Sequence, residues 1–139
     1  MKSVFADSLY WIAVVGPRDP WGTAAASAKA ALGEVRTLTT DEVLTEFLAA
    51  LSTSGAALRQ QAARMVRAIP SSPDVRVIPQ SRDSFLTGLA LYEQRGDKQY
   101  SLTDCISMNA MRAENVTEAL TNDHHFEQEG FTVLMKKHK

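Results

Sequence analysis

One cysteine, Cys105, is all the chain carries, so no internal disulfide can form and no cysteine-rich zinc framework can be built. A reducing cytoplasm is the expected compartment. Long apolar runs are also missing. Trp11 to Val15 is far too short to span a bilayer, and Asp7 interrupts the apolar stretch behind Met1-Lys2, which otherwise resembles a signal-peptide start. Neither a membrane segment nor a targeting leader is expected. No sign of charge dominates: 15 Lys and Arg against 16 Asp and Glu leave a formal net charge of -1. That balance excludes a bulk basic nucleic-acid binder and a disordered acidic tail, so any contact with RNA must use local patches. Internal repeats and low-complexity stretches are absent as well.

What remains suits one compact domain. The chain has 139 residues, 45% of them hydrophobic, enough to bury a sizeable core without a staple, and residues 1-139 are read as a single unit. Val4-Phe5-Ala6 is a short apolar run stopping at Asp7-Ser8, as a buried parallel strand does at its loop. Leu9 to Val15 reads as a helix closed by Gly16-Pro17, and Gly22 to Leu32 as a second helix ending at Gly33. Val35 to Leu38 is the second strand. Thr39 and Glu42 have capping-box spacing for a helix to about Leu51, with Val43, Leu44, Phe47, Leu48 and Leu51 as its buried stripe. Leu58, Ala62, Met65, Val66 and Ile69 repeat that pattern, and Pro70 to Pro73 is a connector.

Val75 to Ile78 gives a third strand, and Ser81 caps a helix predicted to carry Phe85, Leu86, Leu89 and Ala90 inward. Ser101 opens a helix through Met111. Thr117 to Leu120, a turn of helix around His125 to Glu129, Gly130 and Phe131 to Leu134 complete the pattern. Strands separated by helices imply right-handed crossovers, hence a three-layer α/β/α domain on a mostly parallel sheet of about five strands. Ligands in such folds bind beyond the carboxyl ends of the strands.

Acids gather where that rule points. Asp7 ends strand one, Asp123 follows strand four, Asp104 starts the helix leading to strand four, and Glu46 lies one turn beyond the cap of its helix. Clustered carboxylates raise one another's pKa unless a divalent cation sits among them, and oxygen-only donors suit Mg²⁺ or Mn²⁺. Each acid also has a plainer reading. Asp7 can be a loop acid, Asp104 the partner of Ser101 in a cap, Asp123 a turn former and Glu46 a solvated helix acid.

Four stretches decide between these: Val4-Phe5-Ala6-Asp7-Ser8, Thr39-Thr40-Asp41-Glu42-Val43-Leu44-Thr45-Glu46, Ser101-Leu102-Thr103-Asp104-Cys105-Ile106-Ser107 and Ala119-Leu120-Thr121-Asn122-Asp123-His124-His125-Phe126. In order and spacing they resemble the PIN domain family, most closely its VapC-like members, from Val4 to about Met135. The resemblance implies a metal-dependent endoribonuclease. It places the metal-binding and catalytic acids at Asp7, Glu46, Asp104 and Asp123, with Mg²⁺ or Mn²⁺ as cofactor and 5'-phosphate and 3'-hydroxyl products. It further implies orienting hydroxyls at Ser8 and Ser101, a homodimer, and a small antitoxin protein covering the acidic cleft of a type II toxin. Trp21-Gly22 departs from the pattern, since many relatives carry a polar residue such as histidine there; Gly22 is assigned no role.

Other signals carry less. Cys105 sits among apolar residues and reads as a small buried hydrophobe rather than a nucleophile. His124 and His125 are adjacent and so expected to point apart, a poor zinc pair, with RNA contact left open. Arg18, Arg59, Arg64, Arg67, Arg82, Arg95, Lys98 and Arg112 read as solvated helix faces, and Lys136 to Lys139 as a solubilising tail. A PIN nuclease of RNA processing and a noncatalytic RNA- or protein-binding module are the alternative functions. A receiver-type phosphoacceptor is disfavoured because Ile78-Pro79-Gln80 offers no acid at the end of strand three.

Overall fold

A computed structural model describes residues 1–137, so the end of the basic tail, His138 and Lys139, lies outside the described residues. Five strands form one sheet among them. They are β1 (Lys2–Ala6), β2 (Val35–Thr40), β3 (Val75–Ile78), β4 (Glu118–Leu120) and β5 (Thr132–Val133), in the order β3-β2-β1-β4-β5. Every pairing is parallel: Val4 faces Thr37, Thr39 faces Val77, Ala6 faces Leu120 and Ala119 faces Val133. Parallel neighbours need crossovers, and the helices supply them on both faces as a three-layer α/β/α domain. These helices are α1 (Ser8–Val15), α2 (Gly22–Leu32), α3 (Asp41–Ala50), α4 (Ala56–Ala68), α5 (Arg82–Gln94), α6 (Leu102–Ala113) and α7 (His124–Gln128).

The middle of the sheet is the driest part. Val4, Phe5 and Ala6 on β1 and Ala119 and Leu120 on β4 are fully buried, packed with Phe47, Met108, Met111 and Phe126 in one apolar cluster. Covering both faces leaves no solvated side to alternate toward, which is why β1 reads as a continuous apolar run. The chain passes outward from β1 through β2 to β3 and then returns to the other side of β1 as β4. Strand order therefore reverses between β1 and β4, and at the carboxyl ends of these two strands the diverging loops leave a crevice.

Four expectations need correction. The cap of α3 is Thr40, whose side chain accepts from the Val43 amide at 3.1 Å, and not Thr39. β2 extends two residues further than expected because Thr39 and Thr40 pair with Val77 and Ile78, and Thr39 Oγ1 instead donates to the Ala6 carbonyl at 2.9 Å. In α5 the expected inward face is turned out: Phe85, Leu86, Leu89 and Ala90 are exposed, while Gly88 and Leu91 are buried. The cause is Gly88, which lets α5 approach α6 so closely that a Cβ there would lie 2.5 Å from Ile106 Cγ1. Lastly, Leu48 at the edge of the α3 stripe is exposed, whereas Val43, Leu44, Phe47 and Leu51 are buried as expected.

Candidate functional site

Asp7 is the first residue beyond β1 and the N-cap of α1, yet its carboxylate makes no capping bond. Its backbone amide instead donates to the Leu120 carbonyl, tying the ends of β1 and β4 together. Its Oδ2 accepts a 2.8 Å hydrogen bond from Thr121, just past β4, and Thr121 Oγ1 in turn accepts the Asp123 amide at 3.1 Å. Oδ1 is buried and has no hydrogen-bond partner among the described residues. Burial pushes the Asp7 carboxyl up to about 7; Thr121 and Ser8 pull it down, and the charges of Glu46 and Asp104 push it further up.

Glu46 projects from α3 to meet α1, where Ser8 Oγ donates to its Oε1 at 2.5 Å. Burial raises its pKa, opposed by the Ser8 bond and reinforced by Asp104 and Asp123. Asp104 is the third residue of α6 and closes a capping box: its amide donates to Ser101 Oγ and its Oδ2 accepts the Ser101 amide, each at 3.0 Å. Burial raises its pKa too, with Asp123 adding to the rise. Asp123 caps α7, its Oδ1 accepting the His125 amide at 2.9 Å. Glu46 and Asp104 thus come within electrostatic reach of both Asp7 and Asp123, while the donor atoms near enough to share one ion among the described residues are those of Asp123, His124 and His125.

Ser101 and Asp104 make the cap expected of them, and the capping box leaves the Asp104 carboxylate within electrostatic reach of Asp123. Ser8 serves Glu46 directly. Two residues went unassigned in the sequence. Thr121 looks like any strand-end threonine until the sheet closes and sets it against Asp7, 114 residues away in sequence. His125 was expected to diverge from His124, but both rings turn to Asp123, with Nδ1 to Oδ1 distances of 3.3 Å for His125 and 3.9 Å for His124.

Arg95 and Arg112 also depart from the expected solvated faces. Both pair with the buried carboxylate of Glu129, Arg95 through two 2.9 Å bonds, and Tyr100 adds its hydroxyl at 3.1 Å. These bonds, Arg95 first, hold the Glu129 pKa down to about 2. They clamp the end of α7, the helix whose start carries Asp123 and His125. Cys105 is buried, as expected.

The donors suit a hard divalent cation. Buried carboxylates that raise one another's pKa are costly unless a positive charge offsets them, and Asp7 Oδ1 has a lone pair with no other use. A groove of about 600 Å³ between α1 and α2, lined by Tyr10, Val14, Ala26 and Lys29 among others, includes none of the four acids. No helix among the described residues is long and apolar enough to cross a membrane.

Acids collected at the switch point of a parallel three-layer sheet define a PIN-like domain. No family model matches the sequence, and no curated protein matches it. Among solved structures, the crystal structure of VapC20 from Mycobacterium tuberculosis, described as a sarcin–ricin loop cleaving toxin, superposes with a TM-score of 0.84 at 25% identity. The match covers 96% of this chain and 99% of that one. Over nearly its whole length the chain thus has the fold of a VapC-like PIN-domain toxin.

Proposed function

We propose that the chain is a metal-dependent endoribonuclease that hydrolyses phosphodiester bonds in structured RNA, acting as the toxin of a toxin–antitoxin pair. The observation that carries this reading is the convergence of Asp7, Glu46, Asp104 and Asp123 at the β1–β4 switch point, with Asp7 Oδ1 free of hydrogen bonds among the described residues. Likeness over nearly the whole chain to a toxin described as cleaving the sarcin–ricin loop supports the substrate class.

These four acids would hold Mg²⁺ or Mn²⁺, which when bound lowers the pKa of an attacking water and stabilises charge on a phosphoryl oxygen. The chain's own work is aiming. Thr121 occupies Asp7 Oδ2, so Oδ1 is the oxygen left to bind; Ser8 occupies Glu46 Oε1 in the same way. The Ser101 box fixes the Asp104 carboxylate at the head of α6. Water then attacks phosphorus as the bond to the 3' oxygen breaks, giving 5'-phosphate and 3'-hydroxyl ends. A small antitoxin would cover this acidic cleft, and the exposed apolar face of α5, Phe85, Leu86, Leu89 and Tyr92, would be buried in a homodimer.

Purified protein incubated with an RNA hairpin of sarcin–ricin sequence should cut it in Mn²⁺ or Mg²⁺ and leave it whole in EDTA. Cutting that persists in EDTA, or fragments ending in 2',3'-cyclic phosphate, would contradict the reading. Growth arrest on expression, relieved by Asp104→Asn, is the outcome expected of a toxin; unimpaired growth would place the nuclease in RNA processing.

A further inference from the structure

We propose that His125 is a direct ligand of the ion, a nitrogen donor that makes the centre favour Mn²⁺ over Mg²⁺. The proposal rests on the reading of the acids as a metal centre and adds a donor of a different chemical kind. His125 Nδ1 lies 3.2 Å from Asp104 Oδ2 and 3.3 Å from Asp123 Oδ1. One ring nitrogen therefore faces two carboxylates carried by different elements, the head of α6 and the cap of α7. Without an ion, an Nδ1 proton shared between the two acids accounts for both contacts. With a cation among the same carboxylates, the proton belongs on Nε2 and the Nδ1 lone pair faces the charge.

The ring is held in that attitude. The His125 amide is bonded to Asp123 Oδ1 at 2.9 Å, and the Tyr100 ring packs beside the imidazole with centroids 5.5 Å apart. Tyr100 is itself bonded to Glu129, which Arg95 and Arg112 clamp. His124 also reaches Asp123, at 3.9 Å and within the same group of possible donors, but its side chain is 71% exposed, so the proposal is specific to His125 only if the His124 variant keeps the signal. Mg²⁺ prefers oxygen donors and keeps its waters, while Mn²⁺ accepts imidazole. A carboxylate set with one histidine thus discriminates where carboxylates alone would not.

Pulsed electron paramagnetic resonance of the full chain loaded with Mn²⁺ reads the ligand directly. A ¹⁴N coupling from bound imidazole is expected in the wild type and in His124→Ala, and its loss in His125→Ala. Calorimetric titration should show Mn²⁺ binding weakened by about tenfold in His125→Ala and in His125→Asn, with Mg²⁺ binding changed far less. His125→Asn keeps an N–H donor for the two acids, so full recovery of Mn²⁺ affinity in that variant would mean that His125 only positions them and would overturn the proposal. Bound Mn²⁺ with no nitrogen coupling in the wild type, or coupling that survives in His125→Ala, would overturn it as well while leaving the acidic centre standing. Failure of the wild type to bind Mn²⁺ at all would remove the centre on which the proposal rests.

Discussion

Burial raises the Asp7 carboxyl to about 7, while Glu129, held first by Arg95, falls to about 2, and the two act on stability in opposite directions. Between about pH 4 and 7 the folded metal-free protein keeps the Asp7 proton that the unfolded chain has lost, so this group makes stability fall as pH rises through that window. Asp7→Asn in EDTA should therefore be more stable than the wild type at pH 8, by up to about 4 kcal/mol at 1.36 kcal/mol per pKa unit, with the gap closing towards pH 4. Urea unfolding at both pH values checks it; a less stable Asp7→Asn protein at pH 8 would show that the buried charge is already compensated. Glu129 stabilises the fold fully above its ordinary pKa of about 4.5 and loses that contribution as pH falls towards 2. Glu129→Gln should cost about 2 kcal/mol at pH 7 and much less at pH 3, measured in the same way. Asp7, Asp104 and Asp123 could be singled out because each falls at an element end that apolar runs and caps mark out, whereas Glu46, well along α3, was singled out by the family resemblance. Thr121 and His125 were not, because their roles depend on neighbours that only tertiary closure supplies.

Helices and strands were read well where one pattern dominates and poorly where two compete. α2, α6 and β3 lie close to their expected bounds, since an alanine-rich run ending at glycine, a serine cap and a β-branched run have few alternatives. α5 carries two stripes, one of large apolar residues and one of Ser84, Gly88 and Leu91, and hydrophobicity favours the wrong one. The Ile106 side chain seats against Gly88, where no Cβ stands in its way, and no periodicity rule sees that. Gly88→Ala should then destabilise the protein by about 1 to 3 kcal/mol, because Ile106 Cγ1 stands where the new Cβ must go. Ile106→Ala removes that atom, so the double mutant should lose less than the sum of the singles; strict additivity in a thermal melt would contradict the packing argument.

At the scale of the molecule, the sheet order explains why residues from four stretches meet. β1 is central, its neighbours β2 and β4 lead into α3 and the Asp123 turn, and the only acid of the four not directly after a strand or its helix start is Glu46, well along α3. Alternating strands and helices made the parallel layers legible, whereas the order β3-β2-β1-β4-β5 had to come from the structure. The same view leaves the apolar face of α5 uncovered. Size-exclusion chromatography with light scattering should find a dimer that Leu86→Glu with Leu89→Glu converts to monomer; a wild-type monomer at micromolar concentration would count against that pairing. The central claim is that the four acids form one metal-dependent site for RNA hydrolysis. Its most direct test is cleavage of one structured RNA by wild type and Asp104→Asn in Mn²⁺, because asparagine can still accept the Ser101 amide and preserve the helix cap. The prediction is metal-dependent cutting by the wild type and none by the folded mutant, whereas equal cutting by both would contradict the site.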